Sequence, residues 1–201
     1  MFLNTLKNLL FSNKRRFFYT YKNLIGFFPS EIDLYQQAFL HSSVNYKDNK
    51  GIHINNERLE YLGDAVLNSI ISNYLYKHYT DRKEGFLSKM RAKIVNRENL
   101  SNIAQKIGLA EHFKTNVDDS EVVYYLLGNA LEALIGTIFI DKNYKYCEKF
   151  INNKIIMPHV DLHFLETTET NYKGKMIEWA QKNNIDIDFS TIEKISNKQS
   201  H

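Results

Sequence analysis

NNERLEYLGDAVL, residues 55–67, sets leucines and a valine at helical spacing and carries three acids, Glu57, Glu60 and Asp64. At about 100° per residue, with Glu57 at zero, Glu60 falls near about 300° and Asp64 near about 340°. Leu59, Leu62, Val66 and Ile70 cluster between about 140° and about 220°. The acids share one face and the apolar stripe lies opposite. On a lone amphipathic helix such a face is ordinarily solvated, or paired with Lys or Arg. A second stretch must decide.

That stretch is VVYYLLGNALEALIGTIFI, residues 122–140, which is apolar on every side and therefore reads as a helix through the core. Glu132 sits in its middle. An unpaired carboxylate there costs several kcal/mol, so a partner, a proton or a metal must neutralise it. Asn129, Glu132 and Gly136 fall within an arc of about 60°. If Glu60 and Asp64 face them, four oxygen-donor side chains from two packed helices make a site suited to Mg²⁺ or Mn²⁺, with no soft ligand to recruit zinc. A membrane span is the competing reading, permitted by length. An Asn and a Glu at mid-helix, and the lack of a second such segment, argue against it.

The rest of the chain bounds the fold. Its 201 residues are 43% hydrophobic, enough for one substantial core and a small second module. Two prolines and eight glycines favour long helices over a turn-rich β fold, and no strand alternation precedes residue 185. The body reads as all-α. Pro29, Ser30 and Glu31 signal a helix start with Ser30 as N-cap, continuing through EIDLYQQAFLHSSV, and residues 86–108 read as one helical segment. A single cysteine, Cys147, excludes an intrachain disulfide framework and points to the cytoplasm. Residues 1–27 form a basic arm; their basic, acid-free composition also admits an organelle transit peptide. The net charge of +3 is compatible with nucleic acid without indicating it.

These residues carry a resemblance. NNERLEYLGDAVL is similar to the signature of ribonuclease III, and GNALEALIGTIFID, residues 128–141, resembles that family's second acidic motif. AFLHSSV resembles its early His-containing segment, and RKEGFLSKMRAKIVNRENLSNIAQKIGL its intervening helices. The resemblance implies an all-helical nuclease domain over residues 28–158 that forms a homodimer around double-stranded RNA. It implies metal-binding catalytic roles for Glu60, Asp64 and Glu132, with Asp64 and Glu132 central to the chemistry. Glu57 is implied as an accessory acid that positions RNA or a further ion. The family usually has Asp where Asn129 stands; Asn keeps one carbonyl oxygen for the metal and loses a charge. Tyr61 stands where Phe is usual and is assigned to the dimer contact. The implied activity is metal-dependent hydrolysis of double-stranded RNA, ribosomal precursors included, leaving 5′-phosphate and 3′-hydroxyl ends, with no membrane involved.

Lys89, Lys93 and Arg97, read on one arc of one helix, are candidates for phosphate contact. After a linker at 159–170, residues 171–201 resemble the opening helix and first strand of a double-stranded RNA-binding domain. The rest of that domain is absent, so the segment is expected as a loosely ordered or partly docked tail. There Lys173, Lys175, Glu178 and Gln181 would face a minor groove. A second reading keeps the fold but makes the protein a catalytically impaired RNA-binding or ribonucleoprotein component, its site decayed at Asn129. A third, blander reading uses the acids for internal salt bridges.

Overall fold

The computed structural model describes residues 12–168 and 172–190. Among the described residues all regular structure is helical, apart from two isolated bridges, Leu40 with Lys114 and Lys47 with His53. This is the all-α architecture expected. The chain divides into two compact units, residues 1–162 and 163–201.

The first unit contains α1 (Ser12–Ile25), α2 (Ile32–Ala38), α3 (Glu57–His78), α4 (Glu84–Val95), α5 (Arg97–Lys106), α6 (Ser120–Asp141) and α7 (Tyr144–Ile151). The last runs through a π turn, Asn152–Ile156, to a final turn at Met157–His159. The centre of the unit is α6. Asp119 starts it, accepting hydrogen bonds from the backbone N–H groups of Glu121 at 2.9 Å and Val122 at 3.2 Å. Length and composition alone would let α6 cross a membrane. Instead α2, α3, α5 and α7 pack around it, burying Ala130, Leu131, Leu134, Ile135 and Ile138 completely.

The N-terminal reading changes character at α1. Residues 12–25, expected as part of a basic arm, form a helix whose Phe18, Tyr21, Leu24 and Ile25 are buried. Tyr21 stacks on Tyr35 and Phe39, with ring centroids 5.5 and 5.9 Å away. The aromatic residues tie this segment down, while Arg16 stays exposed.

Three local expectations need correction. The helix read from residue 31 through AFLHSSV ends at Ala38, because the chain is drawn into a tertiary bridge: Lys114 N–H donates to Phe39 O at 2.8 Å and His41 N–H to Lys114 O at 3.0 Å. Ser30 is not the N-cap of α2. Glu31 holds that position, while the Ser30 and Glu31 amides both donate to the Asp141 carboxylate. The segment over 86–108 is two helices, broken at Asn96, which has extended ψ and caps α5 by accepting from Asn99 N–H at 2.8 Å.

In the second unit, α8 (Leu162–Thr167) and α9 (Tyr172–Lys182) are followed by a turn and by residues 185–190, which pair with no strand among the described residues. The expected first strand is therefore not formed there. Residues 191–201 lie outside the described residues.

Candidate active site

Helices α3 and α6 cross where two glycines meet. A Cβ on Gly63 would overlap the Glu132 carbonyl, and one on Gly136 would overlap the Leu59 carbonyl. Backbone packs on backbone here, so any side chain at either position would drive the helices apart. Gly136, on one arc with Asn129 and Glu132, makes room for α3. The consequence is chemical. Glu60 and Asp64 flank Gly63 on one helix, and Asn129 and Glu132 approach from the other.

Their charges act on one another. Glu132 is pushed up to about 8, by burial first and then by the negative charges of Asp64 and Glu60, with Arg97 pulling the other way. Glu60 is also raised, mainly by burial, with Glu57 and Asp64 adding to the rise. The Asn129 side chain hydrogen-bonds to Glu60 and opposes that rise, so its amide N–H₂ is the donor and its carbonyl oxygen is left over. Asp64 and Glu57 are exposed, whereas Glu60, Asn129 and Glu132 are half-buried. Among the described residues no three His, Cys, Asp or Glu side chains are grouped closely enough to hold a metal ion by themselves. The donor set is nevertheless three carboxylates and an amide oxygen. It fits a hard divalent cation and not zinc, and Glu132 is a half-buried acid among like charges whose repulsion such a cation would offset.

The flanking candidates separate. The break at Asn96 puts Lys89 and Lys93 on α4 and makes Arg97 the first residue of α5, so the three do not share one helix. Arg97 lies over the Tyr125 ring at 5.7 Å and is the cation felt by both Glu60 and Glu132. Lys89 is exposed and Lys93 half-buried. Tyr61 is 81% exposed, so its hydroxyl needs no buried partner within one chain. Gln181 is exposed on α9; the side chains of Lys173, Lys175 and Glu178 lie outside the described residues.

One neighbour of the acids went unread in the sequence. Asn68, one turn beyond Asp64, donates its Nδ2 to Asp64 Oδ1 at 2.6 Å and to the Asp64 carbonyl at 3.0 Å. The signal was the spacing alone, an amide four residues after an acid.

Comparison with known proteins agrees with the geometry. The family described as ribonuclease-III-like matches residues 31–159. Ribonuclease 3 of Bacteroides fragilis is 42% identical over 193 residues, covering 96% of this chain and 67% of that protein. Ribonuclease 3 of Phocaeicola vulgatus is 41% identical over 184 residues, covering 92% and 60%. The chain thus spans from three fifths to about two thirds of the length of these relatives. A structure of the nuclease domain of ribonuclease III from Campylobacter jejuni, describing flexibility in a region involved in dimer formation, superposes with a TM-score of 0.59 at 30% identity. That match covers 67% of this chain and 92% of the other. Sequence, fold and the gathered acids agree: the chain belongs to the ribonuclease III family of endoribonucleases.

Proposed function

We propose that this protein hydrolyses phosphodiester bonds in double-stranded RNA, ribosomal precursors among them, as a homodimer that uses Mg²⁺ or, in its place, Mn²⁺. The observation that carries this reading is the glycine-paired crossing of α3 and α6, which gathers Glu60, Asp64, Asn129 and Glu132 in a chain of this family. A divalent ion bound there supplies charge neutralisation and water activation for in-line displacement, leaving 5′-phosphate and 3′-hydroxyl ends.

The chain's own residues do the rest. Glu60, Asp64 and Glu132 would hold the ion, and Glu132, pushed up to about 8, would give up its proton on binding it. Asn129 opposes the upward shift of Glu60 through its amide and would offer its carbonyl oxygen to the ion. Arg97, exposed beside the acids, offers a guanidinium to an RNA phosphate. Glu57, exposed at the rim, positions RNA or a further ion, and the exposed Lys89 contacts RNA phosphate. Lys93 extends that basic face. The exposed Tyr61 ring meets the second subunit, a reading supported by the dimer-forming region described for the Campylobacter jejuni domain. Residues 28–158 form the nuclease domain, and residues 171–201 add duplex contacts through Lys173, Lys175 and Gln181. The lone, buried Cys147 suits the cytoplasm.

The test is cleavage of a long duplex RNA in Mg²⁺ and in Mn²⁺, with Glu132→Ala beside the wild type and the oligomeric state of Tyr61→Arg measured by sedimentation. Short duplex products that vanish with Glu132→Ala, and a dimer that Tyr61→Arg dissociates, support the proposal. Cleavage that survives Glu132→Ala overturns the site. The RNA-binding alternative rests on one observation, the missing charge at Asn129. Duplex binding without cleavage in either ion, with cleavage gained by Asn129→Asp, would establish it.

A further inference from the structure

The face of α3 that carries Asp64 does not end at the acids. Asn68 Nδ2 reaches Asp64 Oδ1 at 2.6 Å; Ser72 Oγ donates to the Asn68 carbonyl at 2.7 Å; and Arg91 Nη1 of α4 donates to Ser72 Oγ at 2.9 Å. Positions 64, 68 and 72 are each one turn apart, so they stack along a single stripe. Asp64 is exposed, and an exposed carboxylate ordinarily samples several rotamers. Here one of its two oxygens is engaged by an amide that can only donate from that nitrogen. The other carboxylate oxygen accepts no hydrogen bond among the described residues, and the Asp64 charge acts on Glu60 of its own helix and on Glu132 of α6.

From this geometry we infer that Asn68 is a positioning residue: it fixes the Asp64 carboxylate in the orientation that presents one oxygen to the divalent cation, and Ser72 and Arg91 anchor the stripe to α4. The inference rests on the metal-site reading of Glu60, Asp64 and Glu132. Groups that orient a ligand without touching the metal set how much entropy and rearrangement binding costs. Asn68 makes no contact with the reacting atoms and has no part in proton transfer. It acts through Asp64 alone.

The test compares the wild-type 201-residue chain with Asn68→Leu, which keeps the side-chain bulk and removes the donor, and Asn68→Gln, which can still donate one turn back along a helix. Mn²⁺ affinity is measured by calorimetry without RNA, and the Mg²⁺ concentration for half-maximal cleavage is measured beside it. Thermal unfolding without metal checks the fold. Asn68→Leu is expected to weaken Mn²⁺ binding and raise the Mg²⁺ requirement by about 10-fold, the lower end for a lost orienting partner, with metal-free melting little changed. Asn68→Gln should recover most of that loss. Unchanged metal dependence in Asn68→Leu overturns the positioning role and leaves the metal site standing. A loss in Asn68→Leu that Asn68→Gln fails to recover also overturns it, since the donor is then not what mattered. A wild type that binds no Mn²⁺ overturns both readings together.

Discussion

Helix α6 carries two buried or half-buried acids nine residues apart, and the protein treats them oppositely. Asp141 has its needs met. Its oxygens accept from the backbone N–H groups of Ser30 and Glu31, at 2.9 and 3.1 Å, and from the Tyr35 hydroxyl at 3.0 Å, and Lys142 Nζ lies 3.4 Å away. Lys142 also donates to Ser30 Oγ, closing the cluster. That arrangement ties the start of α2 to the end of α6. Glu132, by contrast, sits among Asp64 and Glu60, and no hydrogen bond to its carboxylate occurs among the described residues. A satisfied buried acid is a structural joint. An unsatisfied one, facing other acids, is where a cation belongs.

The contrast is sharpest under substitution. Asp141→Asn keeps the shape but cannot accept with both side-chain groups, leaving buried donors unpaired, and should cost about 2–3 kcal/mol. Urea denaturation measures it. The cleavage rate per folded molecule should stay near wild type, and a folded variant that has lost cleavage would break the distinction between the two acids.

Asn129→Asp acts on the other acid's surroundings. It adds a fourth negative charge where the Asn129 amide now donates to Glu60, so divalent-ion binding should tighten by about fivefold, near 1 kcal/mol at a half-buried site. Metal titration followed by calorimetry reads this directly. Weaker binding in Asn129→Asp would mean that the amide's hydrogen bond to Glu60 matters more than the charge.

The same acid also predicts a pH dependence. Glu132 is raised from the ordinary carboxylate range to about 8 in the folded chain, so without metal its contribution to stability is present below about 4.5 and is lost as pH rises through about 8. Metal-free melting should therefore fall across that window. Glu132→Gln removes the titrating group and should flatten this component of the profile, and Mg²⁺ should offset it in the wild type. A profile unchanged by Glu132→Gln would show that Glu132 is not strained by its neighbours.

Much of this was legible in the residues. The period of Leu59, Val66 and Ile70 places the core side of α3, and the uninterrupted apolar character of α6 marks it as a core helix. Glu132 in GNALEALIGTIFID announces itself because a charge inside apolar spacing has no packing rationale, and the acidic face of NNERLEYLGDAVL gains its meaning beside it. Those are local properties, set by side-chain chemistry and helical period. What the sequence by itself did not contain is distance between elements. It could not show that Gly63 and Gly136 meet, since a glycine's use depends on which backbone arrives. Nor could it place the break at Asn96, where a side-chain cap outcompetes the helix, or the stop at Ala38, where a bridge to Lys114 does. Asp141 and Glu132 look alike along the chain, both acids on one helix. Only the tertiary structure, by bringing Ser30, Glu31 and Tyr35 to one and Glu60 and Asp64 to the other, makes the first a joint and leaves the second among like charges.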